Sequence, residues 1–194
     1  MLLTLSGRLF LMLSRTEAIR LMRGHLKIAE ARKHSLAVAR IMEQVARKLK
    51  TDEEEWHLCG LLHDIDRDKI HGDMSKHGIV AAELLEGLIS KDCLHAIRAH
   101  DHRTGVIPRN IMDKALIASD AVARFFAELA DREEIRQAGE LNSSAFLAKF
   151  EERPFKKLGY LRKRIEICRE IGIPLEEFLR IAREAFETKD ARPV

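Results

Sequence analysis

Nine histidines occur in this chain, all between His25 and His102, and several stand where a helical core would otherwise take leucine. His34 falls in an apolar stripe, four residues before Val38 and seven before Ile41. The adjacent pair His63-Asp64 ends an apolar run from Leu58 to Leu62. His77 precedes Val80 and Ala81 by three and four residues and Leu84 by seven, which turns it inward. His100 follows Cys93 by seven and Ile97 by three, and Asp120 lies inside the apolar stretch Ile117 to Ala123. A polar side chain turned into a core needs a partner, and an unpaired buried carboxylate costs several kcal/mol. A bound cation removes that cost. His34, His63, Asp64, His77, His100 and Asp120 are thus inward-facing nitrogen and oxygen donors carried by five helices. Such a set suits Mn, Fe, Co, Ni or Zn and disfavours a thiolate site. Six donors exceed what one catalytic ion needs beside its water. Two divalent ions about 3.5–4 Å apart, sharing a carboxylate, would use them all.

The elements that must position these residues read as helices nearly throughout. Gly and Pro are few, and no stretch alternates with period two over a strand length. Ser14-x-x-Glu17 is a capping box that opens a helix to about Ala29. A second helix carries His34, Val38, Ile41, Val45 and Leu49 on one face. Thr51-x-x-Glu54 is another box, opening a third helix through His63, and a polar loop from about Asp66 to Ser75 follows. Further helices are predicted over about Lys76–Leu88, Lys91–Asp101, Asn110–Ala130, Ser143–Phe150, Tyr160–Ile171 and Leu175–Glu187. Gly172 and Pro174 separate the last two.

Composition sets the bounds. The chain has 194 residues, 46% apolar and 34% charged, long enough for one globular core without staples. A net charge of +3 is too mild to argue for nucleic acid or a membrane surface. Cys59, Cys93 and Cys168 lie far apart in an odd count, which points to a reducing, cytoplasmic setting rather than a disulfide framework. No apolar run reaches the length of a membrane span. The short apolar patch Leu9 to Leu13 lacks a basic start and a small-residue cleavage site, so residues 1–14 read as a tail and not as a signal peptide.

A His, then an adjacent His-Asp, then a distant Asp resembles the HD superfamily of metal-dependent phosphohydrolases, here as His34, His63-Asp64 and Asp120. Two further His between the pair and the last Asp, as in its two-metal members, stand at His77 and His100. The strings KHSLAVAR, CGLLHDID, KHGIVAAELL, AIRAHDHRTG and KALIASDAV carry the likeness. The nearest resemblance is to small predicted HD-superfamily hydrolases. It implies an all-α fold: an HD-domain helical bundle over residues 15–132, with a C-terminal helical extension, 133–194, packed on it or serving a homo-oligomer contact. It implies one or two divalent ions, with Asp64 bridging, His34, His63 and Asp120 completing one and His77 and His100 the other. A hydroxide held between the ions would attack a phosphoester or phosphoanhydride of a nucleotide or small phosphorylated metabolite. The branch that cleaves cyclic dinucleotides has Lys three residues after the Asp; here Arg67 stands there and the GYP signature is absent.

Loop position makes Arg67, Lys69 and Arg103 candidates to hold a phosphate or the leaving group, with Arg67 and Lys69 beside Asp64 as candidate catalytic residues. His25, His57, His95 and His102 read as surface or satisfied residues, with His95 and His102 facing outward. His71 is a surface residue or a support for the site. The basic run Lys149, Arg153, Lys156, Lys157, Arg162, Lys163 and Arg164 alternates with Glu151, Glu152 and Glu166, and so reads as a solvated face. Two other functions fit the ligand pattern: a di-iron oxygenase of the inositol oxygenase type, and a non-catalytic nucleotide-binding module.

Overall fold

The structure, a computed structural model, describes residues 3–5, 8–10, 13–130 and 158–187. Its body is all-α. Helix α1 (Arg15–His25) starts at the expected box, the Ser14 hydroxyl accepting from the Glu17 amide and the Glu17 carboxylate from the Ser14 amide. It stops short of Ala29 because Leu26 turns to extended backbone and is fully buried. Helix α2 (Ala29–Leu49) ends at Lys50 in the left-handed region. Helix α3 (Glu53–Leu62) is capped by Asp52, which accepts from the Glu54 and Glu55 amides, and not by the predicted Thr51 box. The Thr51 hydroxyl instead donates to the Ala46 carbonyl.

Helix α4 (Ile79–Leu84) is shorter than predicted. Gly78 precedes it at φ +84°, and Gly87 follows at φ +77°, so the chain leaves helical geometry on both sides. Helices α5 (Lys91–Ala99) and α6 (Ile111–Ala130) match expectation closely. The predicted Tyr160–Ile171 helix divides into α7 (Leu158–Ile165) and a 3₁₀ segment, Glu166–Ile171, before α8 (Leu175–Glu187). The helix predicted at Ser143–Phe150 lies outside the described residues. Where a tail was expected, β1 (Leu3–Leu5) pairs antiparallel with β2 (Arg8–Phe10), Leu3 opposite Phe10.

Helix α6 is the axis of the molecule: α2, α3, α5, α7 and α8 all pack against it. Every residue from Ala115 to Ala123 is buried, which explains why that stretch carries apolar and small side chains around Asp120. Helices α2 and α3 meet backbone to backbone. A Cβ on Gly60 would fall 2.8 Å from the Ala39 Cα, so only glycine permits the approach. Helix α8 closes the far side, with Phe178 fully buried in the common core and Glu177 paired to Lys48 of α2 at 2.6 Å. None of the described helices is long and apolar enough to cross a membrane.

Candidate metal centre

His34 comes from the first half of α2, His63-Asp64 from the end of α3, His77 from the turn before α4, His100 from the end of α5, and Asp120 from mid-α6. The structure brings all six together. His34 Nε2 lies 3.0 Å from Asp120 Oδ1 and 3.9 Å from Asp64 Oδ2. His63 Nε2 lies 3.3 Å from Asp64 Oδ1 and 3.7 Å from Asp120 Oδ1. Asp64 Oδ1 is also 2.9 Å from His77 Nε2 and 3.6 Å from His100 Nε2. Five of the six are buried, and His34 is half-buried at the edge.

The backbone sets the direction of the imidazoles. His63 and His100 each cap a helix, and each turns Nδ1 onto the carbonyl three residues back: Gly60 at 2.8 Å and Ile97 at 2.7 Å. A carbonyl only accepts, so in both rings Nδ1 carries the hydrogen and neutral Nε2 presents a lone pair to the centre. His77 is turned the same way by a carboxylate, Asp66 Oδ1, at 2.8 Å from its Nδ1. His77 and His100 then point Nε2 at each other across 3.1 Å. His63 Nε2 and Asp64 Oδ1 are buried and make no hydrogen bond among the described residues, and Asp120 Oδ2 meets there only the Arg164 guanidinium, as an ion pair at 3.0 Å. Lone pairs and anions facing one another in a desolvated space are what a cation resolves. Among the described residues, two overlapping groups have donor spacing fit for an ion: His34, His63 and Asp120, and His63, Asp64 and His100. All donors are nitrogen or oxygen, which fits a divalent transition metal.

Charges are distributed to keep the carboxylates ionised. Burial pushes Asp64 up, but His63, His100 and His77 together hold it well below the usual carboxylate range. Asp120 is likewise pushed up by burial and held well below by Arg124, His34, His63 and Arg164. His77 loses to burial but gains more from Asp64 and Asp66, and sits at about 9. Burial keeps His100 below the usual imidazole value despite Asp64.

Among the predicted phosphate-holding residues, Arg67 is at the centre, its Nη1 3.3 Å from Asp64 Oδ2. Arg103 is paired with Asp101, the residue after His100. Lys69 is exposed, and its charge falls near His25 rather than on the donors. His71 is exposed, at φ +48°. His57 is satisfied by Glu43 at 2.9 Å, and exposed His102 meets the Tyr160 hydroxyl. His95 does not face outward: it is half-buried against Asp113, which caps α6 by accepting from the Arg109 and Asn110 amides.

Four residues at the centre escaped sequence reasoning: Asp66, Asp101, Arg124 and Arg164. Asp66 looked like part of a polar loop, yet it is fully buried and also accepts from the Gly78 and Ala81 amides. Arg124 had a readable signal, since it stands four residues after Asp120 on one helix face; its Nε is 2.8 Å from Asp120 Oδ1. Of the basic run read as a solvated face, Lys149, Arg153, Lys156 and Lys157 lie outside the described residues, Lys163 is exposed, and Arg164 departs from the reading. It is 12% exposed, and its Nη2 lies 3.0 Å from Asp120 Oδ2. No spacing in the chain could link it to a residue forty-four positions earlier.

Comparison with known proteins agrees with this geometry. A 92-residue stretch is 32% identical to Ribonuclease Y of Lawsonia intracellularis (strain PHE/MN1-00), covering 47% of this chain and 18% of that protein. The chain therefore spans less than a fifth of the length of this relative. Residues 32–138 match the HD domain, an interval that runs from just before His34 to beyond Asp120 and takes in all six converging donors, so this chain belongs to the HD-domain family.

Proposed function

We propose that the chain is a metal-dependent phosphohydrolase with a dinuclear divalent centre, cleaving a phosphoester or phosphoanhydride of a nucleotide or small phosphorylated metabolite. One observation carries the reading. His63 and His100, locked by backbone carbonyls, and His77, locked by Asp66, all aim Nε2 at the buried Asp64 carboxylate. Asp64 would bridge the ions, with His34, His63 and Asp120 on one side and His77 and His100 on the other. Divalent ions bound there supply Lewis-acid polarisation of the phosphoryl oxygens and an acidified water able to attack phosphorus at neutral pH. The chain itself needs no Ser or Cys nucleophile. Arg67, 3.3 Å from Asp64, would neutralise phosphoryl oxygens, and Arg103, paired with Asp101 next to His100, would meet the leaving group. Lys69, exposed and near His25, is the least supported of the three predicted phosphate-holding residues.

The test is metal analysis of the purified protein, then a phosphate-release screen with Mn, Co, Ni and Fe. Mononucleotides, dinucleoside polyphosphates and cyclic nucleotides are the substrates. A short RNA is added because part of the chain is similar to part of a protein named Ribonuclease Y. Asp64→Ala is expected to lose both bound metal and turnover, and retention of both would sink the reading. Oxygen uptake on addition of a polyol, with a coupled iron pair, would mark the oxygenase instead.

A further inference from the structure

Outside the residues matched to the HD domain, α7 sets Arg164 against the donors. Its Nη2 lies 3.0 Å from Asp120 Oδ2 and donates to the His100 carbonyl at 2.7 Å. Its guanidinium carbon stands 5.5 Å from the ring centre of Tyr160, one turn earlier on α7. The Tyr160 hydroxyl is in turn 2.7 Å from His102 Nδ1. The aromatic face and the carbonyl hold the guanidinium plane in place, and both polar contacts that Arg164 makes among the described residues use a single nitrogen.

Three more guanidiniums share this space. Arg124 reaches Asp120 Oδ1 at 2.8 Å and Asp64 Oδ2 at 3.9 Å, Arg67 reaches Asp64 Oδ2 at 3.3 Å, and Arg103 pairs with Asp101. Against these four guanidiniums stand four carboxylates, Asp64, Asp66, Asp101 and Asp120, so the guanidinium and carboxylate charges cancel. Divalent ions on the carboxylates then leave the site strongly positive. One phosphoryl group, at about −1.5 to −2 near neutral pH, offsets a single ion; two linked groups offset a pair. Guanidinium forks match paired phosphate oxygens in shape as well as charge.

We propose that Arg164, together with Arg124, holds a second, non-reacting phosphoryl group, so that the site selects substrates with two or more linked phosphoryl groups over phosphomonoesters. This inference rests on the phosphohydrolase reading above. It makes Arg164, from the C-terminal helices, a specificity-determining residue of the HD site.

The test is binding, not turnover. Methylenebisphosphonate and methylphosphonate are titrated calorimetrically into the full chain, metal-free and in buffered excess Mn²⁺, for wild type, Arg164→Lys and Arg164→Met. Lys keeps the charge and loses the fork, so a folding failure of the Met variant leaves the question answerable. The expected result is a preference for the bisphosphonate in wild type that shrinks about tenfold in Arg164→Lys, with bound Mn²⁺ unchanged. Equal affinity for the two probes, or an unchanged preference in Arg164→Lys, overturns the proposal. Loss of bound Mn²⁺ in Arg164→Lys overturns it too, since Arg164 would then only support Asp120. Hydrolysis of phosphomonoesters with no preference between the probes would sink this inference and leave the hydrolase reading standing. An Arg164-dependent preference without hydrolysis of any phosphoester would do the reverse.

Discussion

Asp66 is the sharpest place to perturb the centre without touching a donor. Its Oδ2 accepts from the Gly78 amide at 2.6 Å and the Ala81 amide at 3.1 Å, while Oδ1 faces His77 Nδ1 at 2.8 Å. Asp66→Ala orphans two buried backbone donors. At about 1–3 kcal/mol each, the loss is about 2–6 kcal/mol, a large share of the roughly 5–15 kcal/mol that holds a domain together. Asp66→Asn separates stability from chemistry. Its amide oxygen can replace Oδ2 for both backbone amides, so the fold should lose only about 1–2 kcal/mol, the difference between a charged and a neutral acceptor. Its NH₂ then faces His77 Nδ1, which must accept, and the ring hydrogen moves to Nε2. That atom points at Asp64 Oδ1 and, once protonated, cannot ligate. Metal affinity should fall about 10–100-fold, as when a ligand's orienting carboxylate is removed. Thermal unfolding in EDTA reads the first quantity, and metal occupancy in a buffered Mn²⁺ series reads the second. If Asp66→Asn binds metal as tightly as wild type, the tautomer argument fails. If Asp66→Ala melts with wild type, the burial argument fails.

Further outcomes follow from the same geometry. His77 sits at about 9, against about 6.5 in an unfolded chain, so the stability it lends the metal-free fold is whole below about pH 6.5 and disappears as pH rises through about 9. EDTA-treated protein should therefore melt lower at about pH 9.5 than at about pH 7, and no drop would contradict the His77 pairing. Metal binding runs the other way: below about pH 9 an ion displaces the His77 proton, so affinity rises with pH by up to about tenfold per unit. Calorimetry in buffers of different ionisation enthalpy should report that proton release. Gly60→Ala places a Cβ 2.8 Å from the Ala39 Cα, which must part α2 from α3 at a cost of about 1–3 kcal/mol and draw His34 away from His63. A melt unchanged from wild type would mean that the helices are not in close contact there. Gly78→Ala should be worse, since its φ of +84° disfavours any side chain and its Cβ would meet the Ile97 carbonyl that orients His100. Metal occupancy alongside the melt checks it.

The helices and the six donors were legible because both follow from local rules. A stripe at spacings of three and four marks a buried face, and a histidine or aspartate on that face has to be explained. What stayed hidden was set by distance or by backbone detail. Asp66 lies among charged neighbours in the run Asp64 to Lys69, and nothing in that run separates a buried carboxylate from a solvated one. Its burial follows from Gly78, whose left-handed φ folds the His77 turn back over it so that two amides converge on one oxygen. The Thr51 box misread arose because Thr51 and Asp52 are both competent caps, and the Thr51 hydroxyl had a nearer acceptor in the Ala46 carbonyl. Arg164 was read as solvated from its charged sequence neighbours, but α7 buries the face that meets α6.

The position of the donors along their helices explains why such a site can be assembled from ordinary α-structure. The last turn of any α-helix leaves carbonyls without intrahelical partners. At the ends of α3 and α5 those carbonyls are Gly60 and Ile97, and the histidine capping each helix donates Nδ1–H to it. One contact thus satisfies a helix terminus and sets an imidazole tautomer, with the ring's other nitrogen directed away from the helix end and into the centre. Two such termini, crossed against mid-helix Asp120 on α6, need no loop to aim the ligands. Gly78 is where the two requirements meet: its missing Cβ lets the His77 turn approach the Ile97 carbonyl, and its amide helps bury the Asp66 carboxylate that orients His77. His63, His100 and Asp120 therefore depend on helix packing, while His77 depends on the turn that Asp66 and Gly78 shape. A variant that loosens α3 against α5 should lose ordered imidazoles, and with them metal, before it loses helical content. Circular dichroism and metal occupancy measured together along a urea titration decide it: loss of metal ahead of helicity supports this ordering, and coincident loss refutes it.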